Sequence, residues 1–485
     1  MTNKKVYISQ KDNYAGAFGL VYRSSANFYF RQSNTFKTTI SFMDYWRIKR
    51  GISVMVVAST RSMDGKLLMR EQLTFKNGSI INFSPDMLRS GIAIFEGAIE
   101  VEVFASENMV IPYSAIMAVY EAENSISMVH SYSRTYSPHE VEEGRTISAG
   151  EEGCWSILDT QRVTSFAIIH NGSDIQPEQS ASLELTNVLN KKTSVPFSIP
   201  ALPPYATFKI IPQHYLPSII SFLDGKPGNA AVSFTLKNSF TRMLVGNNTT
   251  DGSEFQVTHS NFNFARHETD NAGEGNAFML VPPAKFRGLT VVVYPETTKG
   301  QYKLETPEGK AYEFKSGERL EITTAPGILK FSKLDGKLPA RIVTALTAKA
   351  ANSNAILPFE CSLGVLHKLR PLKGTFWGIV AIGKKYRSRL IIYPMEVLYG
   401  EAIDNELQLH LYTQESREPE VRLMHGDEIL QLGKGMYLEE IFPRFQETHE
   451  DQYGYFYIRC SKYGGMYCYT TLENELGSVS LEHSF

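Results

Sequence analysis

The sequence predicts an all-β protein built as four tandem β-sandwich domains, jelly-roll-like and carrying short helical turns. Three observations predict it. Short runs of alternating or β-branched residues, broken by Gly, Pro and Asn, recur from end to end, as in Ala-Ile-Glu-Val-Glu-Val-Phe-Ala at 98–105 and at 182–188, 231–236, 289–294, 390–393 and 406–412; half-buried strands read this way. Helical periodicity is scarce and confined to 85–90, 214–223 and 438–445, each about one to three turns long. A strand-tail pattern then returns at intervals of a whole domain.

Unit one carries Gly97-Ala-Ile-Glu-Val-Glu-Val-Phe followed by Ser127-Met-Val-His-Ser131. Unit two answers with Asn229-Ala-Ala-Val-Ser-Phe-Thr-Leu and Phe255-Gln-Val-Thr-His-Ser260, and unit four with Gly454-Tyr-Phe-Tyr-Ile-Arg-Cys-Ser and Val479-Ser-Leu-Glu-His-Ser484. Unit three is a degenerate copy, Pro339-Ala-Arg-Ile-Val-Thr-Ala-Leu and Pro358-Phe-Glu-Cys-Ser362, with Cys361 where the others have His. The recurring residues 130, 259, 361 and 483 stand 129, 102 and 122 positions apart, spacings that describe tandem domains rather than solenoid repeats of about 20–50 residues. Upstream of each tail lies a strand-turn-strand passage: Lys76-Asn-Gly-Ser, Pro203-Pro-Tyr-Ala, Lys315-Ser-Gly-Glu and Met424-His-Gly-Asp. The organisation is unit one at 1–131, a polar connector at 132–151, unit two at 152–260, a second connector at 261–274, unit three at 275–370 and unit four at 371–485.

Bulk properties exclude some partners. A net charge of −2 over 485 residues provides no basic excess for phosphate binding, so nucleic acid is not expected. The N-terminal residues lack the apolar core of a signal peptide, and no apolar run nears the roughly 18 residues of a membrane span, so a cytoplasmic protein is expected. Four scattered cysteines, Cys154, Cys361, Cys460 and Cys468, read as reduced thiols rather than a disulfide framework.

Unit two reads Val195-Pro-Phe-Ser-Ile-Pro-Ala-Leu-Pro-Pro-Tyr-Ala-Thr-Phe-Lys-Ile and ends in Val257-Thr-His-Ser-Asn-Phe-Asn-Phe-Ala-Arg266. It resembles the small β-sandwich family of bacterial sensory rhodopsin transducers, in which a Pro-Ala turn precedes a strand and a strand ending in His-Thr is followed by Asp and Arg. The resemblance covers one unit in four. It implies a ligand-binding or adaptor sandwich without catalysis, and no residue role carries over from it.

Phosphate-loop, zinc-helix and nucleophile-elbow signatures are missing, and Gly273-Glu-Gly275 and Gly433-Lys-Gly435 read as turns. The densest chemistry lies in the first connector, with His130, His139, Glu140, Glu142, Glu143, Glu151 and Glu152. Imidazole with carboxylate suits Zn, Mn or Fe, which makes His130, His139, Glu140 and Glu151 a candidate metal set. The second connector echoes it with His259, His267, Glu268, Asp270 and Glu274. Against a site stands the repeat itself: a His-Ser ending shared by three units reads as a strand terminus. Tyr453, Tyr455 and Tyr457 alternate and share one strand face, a flat surface for stacking sugar rings or a protein partner, or else an inter-unit interface. With Tyr132, Arg134, His139, Glu140 and Arg145 they form the candidate ligand-binding set.

These features point to a non-catalytic binding or adaptor protein that recognises carbohydrate or a protein partner without a cofactor. Two other readings stay open. One is a sugar-modifying enzyme, metal-dependent or acid-base, built on residues 139–152 with a divalent metal as its cofactor. The other is a structural assembly protein that forms homo-oligomers through edge strands.

Overall fold

The architecture repeats one eight-stranded plan four times. It is seen in a computed structural model that describes residues 21–484 apart from 77, 112–114, 138–145, 149–153, 262–275, 284, 296–298, 340–341, 364–374, 395–405, 448–450 and 461–465. In unit one the strands are Arg23–Gln32, Lys37–Met43, Met55–Ser62, Leu67–Leu73, Ile80–Phe83, Phe95–Phe104, Ile116–Glu121 and Ile126–His130. The first, sixth, third and fourth form one antiparallel sheet, and the fifth, second, seventh and eighth form the other. Units two, three and four use the same order in both sheets. The all-β, multi-sandwich fold is therefore the one the strand pattern predicts.

The alternation is imperfect for a physical reason. In Arg23–Gln32 the residues Ala26, Phe28 and Phe30 line the sandwich core, yet Asn27 and Tyr29 on the other face are also buried. A strand covered on both faces loses the polar-out half of its pattern. The cover comes from the next unit. The first sheet of unit one meets the second sheet of unit two, where Tyr132 Oη lies 2.8 Å from His170 Nε2 and Lys209 Nζ lies 3.8 Å from Glu96. The first sheet of unit two meets the second of unit three through a small apolar cluster of Cys154, Val292, Tyr294, Val343 and Ala345. Unit three meets unit four in the same sense, with Tyr469 Oη donating to the Leu280 carbonyl at 3.0 Å. Unit four meets unit one through Tyr455 Oη, which donates to the Ser41 carbonyl at 2.7 Å.

This head-to-tail packing closes. The eighth strands, Ile126–His130, Phe255–His259, Phe359–Leu363 and Val479–His483, lie next to one another in a cycle around a common axis. Gln256 Nε2 donates to the Ile126 carbonyl at 3.2 Å, and the Met128 amide donates to Ser480 Oγ at 3.0 Å. Ser362 Oγ donates to Asn261 Oδ1. A heterologous contact whose rotation closes makes a ring, and here four covalently joined copies make it.

Several details differ from the sequence reading, among them a short helix at Tyr45–Arg50 outside the helical candidates. The described ends of the first connector are stitched into strands: Ser133–Thr135 pairs with Ser239–Thr241, and Thr146–Ser148 with Thr235–Lys237. The passage around Met424 is not a hairpin, because Glu420–His425 leads through Gly426, at φ 47°, into the helix Asp427–Lys434. Gly433 accordingly sits inside that helix rather than in a turn, while Ile429 and Leu432, three apart, supply its buried stripe. The helical candidates elsewhere correspond to Met87–Ser90, to Pro212–Tyr215 with Ile219–Leu223, and to Leu438–Ile441 with Pro443–Glu447. No helix among the described residues is long and apolar enough to cross a membrane.

Candidate metal centre at the ring axis

The closing strands place equivalent residues at the axis because each pairs in the same way with its own seventh strand. His130 stands opposite Met117, His259 opposite Leu244, Cys361 opposite Leu346 and His483 opposite Tyr469. Ring closure then brings the three imidazoles together. The His130 ring lies 4.5 Å from that of His259 and 5.3 Å from that of His483, with 6.0 Å between the latter two. Glu482 turns its carboxylate into the same space, with Oε1 3.5 Å from His130 Nδ1 and 3.6 Å from His483 Nε2. One ligand-capable atom from each of the four residues lies within 4.8 Å of all the others.

The surroundings set the protonation states. His130, His259 and Glu482 are buried, and His483 is partly so. Burial, reinforced by the charges of His483 and Arg242, holds His130 well below the usual imidazole range. Burial, Arg242 and the two other imidazoles do the same to His259. Both are therefore neutral near pH 7 and offer lone pairs. Burial pushes the Glu482 carboxyl up to about 7. His259 Nδ1 lies 2.9 Å from the Ser260 carbonyl, which can only accept, so that nitrogen carries the proton and Nε2 keeps the lone pair. Among the described residues a cation also stands at the cluster: Arg242, its Nη1 3.3 Å from each His259 ring nitrogen. Cys361 completes the circle from unit three, buried beside Glu482 and the His483 backbone, and its thiol is pushed well above its usual range by burial.

Of the candidate metal set, His130 is the described member, and it lies in this cluster together with His259 of the echoing set. His139, Glu140, Arg145 and Glu151 lie outside the described residues, as do Glu142, Glu143, Glu152, His267, Glu268, Asp270 and Glu274. Tyr132 is fully buried, donating or accepting with His170 and accepting from the Tyr29 amide at 2.8 Å. Arg134 is buried too, its guanidinium 4.9 Å from the centre of the Tyr136 ring. Tyr453, Tyr455 and Tyr457 are 6%, 0% and 2% exposed, so the ladder is an inter-unit interface and not an open stacking surface. The Tyr453 hydroxyl donates to Glu121 of unit one at 2.9 Å.

Glu482 and Arg242 escaped sequence reading, although the Glu-His pair at 482–483 was the available signal. The reading of His130, His259 and His483 as strand ends holds, since each closes the eighth strand of its unit. In a ring such equivalent positions also converge, which makes the shared ending a candidate site.

No family model and no curated protein matches this chain. A search of solved structures returns E. coli alpha-2-macroglobulin in its native conformation, seen by single-particle cryo-EM, at 7% identity and a TM-score of 0.09. That overlay covers 93% of this chain and 28% of the other, and at such a score it carries no argument.

Proposed function

We propose that this chain is a non-catalytic binding scaffold, a ring of four unlike sandwiches that recognises a protein partner along its outer rim. The observation that supports this most is the cyclic packing. It buries the tyrosine face at the joint of units four and one, and it leaves the fourth strand of each unit as a sheet edge. An open edge offers unpaired backbone groups that can accept a strand from another chain. Two of these edges carry exposed apolar side chains: Leu67 (45% exposed) and Leu68 (43%) in unit one, Val421 (50%) and Leu423 (47%) in unit four. Carbohydrate is the weaker reading, because the tyrosines that motivated it are buried. The resemblance of unit two to the sensory rhodopsin transducers points to the same adaptor class. Fold alone does not fix function, so the reading rests on the edges.

The test is to cross-link the whole chain in extract of its own cells, purify the captured protein and titrate it against wild type and Val421→Lys/Leu423→Lys. A saturable complex weakened about tenfold or more by the double variant supports the proposal, since losing two buried apolar contacts is worth about 1.5–3 kcal/mol each. A saturable ligand on a glycan array with no protein partner, or a complex indifferent to substitutions at both rim edges, overturns it.

A further inference from the structure

We infer that the axial cluster is a binding site for one divalent transition metal of the zinc type, held by His130, His259, His483 and Glu482. This goes beyond the partner-binding reading and does not depend on it.

The donor set is the first argument. Three imidazoles and a carboxylate are ligands that select Zn, Co, Ni or Cu over Mg and Ca, which prefer all-oxygen shells. Their origin is the second: they come from units one, two and four, brought together only by ring closure, with ligand atoms within 4.8 Å of one another. A tetrahedral site with bonds of about 2.0–2.1 Å spaces its ligand atoms by about 3.3 Å. The cluster must therefore contract, and the partly exposed His483 is the side chain with most freedom to move inward. The third argument is the outer shell. Metal-bound histidines ordinarily donate their other N–H to a carbonyl or carboxylate, and His259 Nδ1 is already 2.9 Å from the Ser260 carbonyl. That leaves Nε2 as the ligand atom.

Arg242 opposes the site. Its guanidinium stands 3.3 Å from the His259 ring nitrogens, and a cation entering there has to displace it. The structure thus contains its own control: removing that charge strengthens metal binding, whereas removing a ligand abolishes it. Cys361 holds the fourth equivalent place but is not among the converging ligand atoms, so the ligand shell is nitrogen and oxygen. A bound ion would clasp unit four to units one and two, and binding to the folded ring alone adds to its stability.

The whole chain, stripped with chelator and checked for folding by circular dichroism, is titrated with ZnCl2 and with CoCl2. Wild type is expected to bind one ion per chain, to melt higher with Zn2+, and with Co2+ to give visible d–d absorption without a thiolate charge-transfer band. His259→Ala and the near-isosteric Glu482→Gln each weaken binding by about a hundredfold or more, beyond the 10–100-fold cost of losing an outer-shell partner. Arg242→Gln tightens it, and Cys361→Ser leaves it unchanged. Absence of stoichiometric binding to folded wild type overturns the proposal. So does affinity indifferent to both ligand variants, and so does a charge-transfer band lost in Cys361→Ser, which would put sulfur in the shell.

Discussion

Closure of the ring can be tested at Phe255, whose side chain fills the joint between units one and two. It is 2% exposed and lies among four aromatic rings. Phe166 of its own unit stacks on it at 5.1 Å, while Phe36, Tyr120 and Tyr29 of unit one approach to 5.1, 5.4 and 6.4 Å. Truncating a buried Phe to Ala costs about 3–5 kcal/mol, more where the surroundings cannot collapse. Two sheets braced by their own sandwiches have little room to relax, so Phe255→Ala is expected near the upper end, about 4 kcal/mol. Coupling to Phe36→Ala in a double-mutant cycle is expected at about 0.5–1.5 kcal/mol, the range for aromatic pairs. The three tryptophans supply the assay, since Trp46 lies in unit one, Trp155 in unit two and Trp377 in unit four. In single-tryptophan versions followed through urea unfolding by fluorescence, Phe255→Ala shifts the midpoint reported by Trp46 as well as by Trp155. A shift confined to Trp155, or a loss below about 1 kcal/mol, would refute the joint, because a Phe buried in unit two alone has no means of destabilising unit one.

Gly78 tests the other end of the ring: a Cβ there would lie 2.2 Å from the Gln414 backbone of unit four, so Gly78→Ala forces that contact apart at a cost of about 1–3 kcal/mol, measured as a lowered urea midpoint. At the joint of units two and three, burial raises the Glu360 carboxyl from its ordinary value to about 7. A raised folded value favours the protonated acid, so its contribution is complete below the unfolded pKa and is lost as pH rises through 7. Relative to Glu360→Gln, wild type should therefore lose up to about 3 kcal/mol between pH 4.5 and 7, at about 1.4 kcal/mol per pH unit, and parallel stability profiles for the two proteins would contradict this.

The strand content and the fourfold repeat were legible because both are written in local pattern. Short alternating runs such as 98–105 specify a strand whatever lies around them, and the recurring tail at 130, 259, 361 and 483 needs only alignment. What could not be read was the relation between units. Tyr453, Tyr455 and Tyr457 alternate as an exposed face would, and nothing within unit four says that Ser41 and Glu121, more than 300 positions away, cover them. Asp427–Lys434 was misread for a related reason: its Gly426 matches the hairpin glycines of the sister units, and the comparison outweighed the buried i, i+3 pair of Ile429 and Leu432. Repeats are a strong guide to topology and a poor one to local exceptions.

A ring made from one chain escapes a constraint that a ring of four identical subunits obeys. With identical copies, a residue at the closing position would be repeated four times around the axis, and a histidine there would place four imidazoles together. Covalent linkage lets each position diverge, and here it has done so: His130, His259 and His483 remain, while the fourth is Cys361. The residues just before them diverge further, as Val129, Thr258, Glu360 and Glu482. Those two glutamates face different neighbours. Glu360 accepts from the Ser156 amide at 3.2 Å and from the Tyr294 hydroxyl at the joint of units two and three, whereas Glu482 joins the imidazoles at the axis. Four identical copies would carry four axial carboxylates, whose mutual repulsion in a buried site favours protonation over metal ligation. One carboxylate among three imidazoles is a donor set that symmetry would forbid and a single chain permits. The asymmetry of the four endings is therefore what makes the axis a candidate site and not merely a seam.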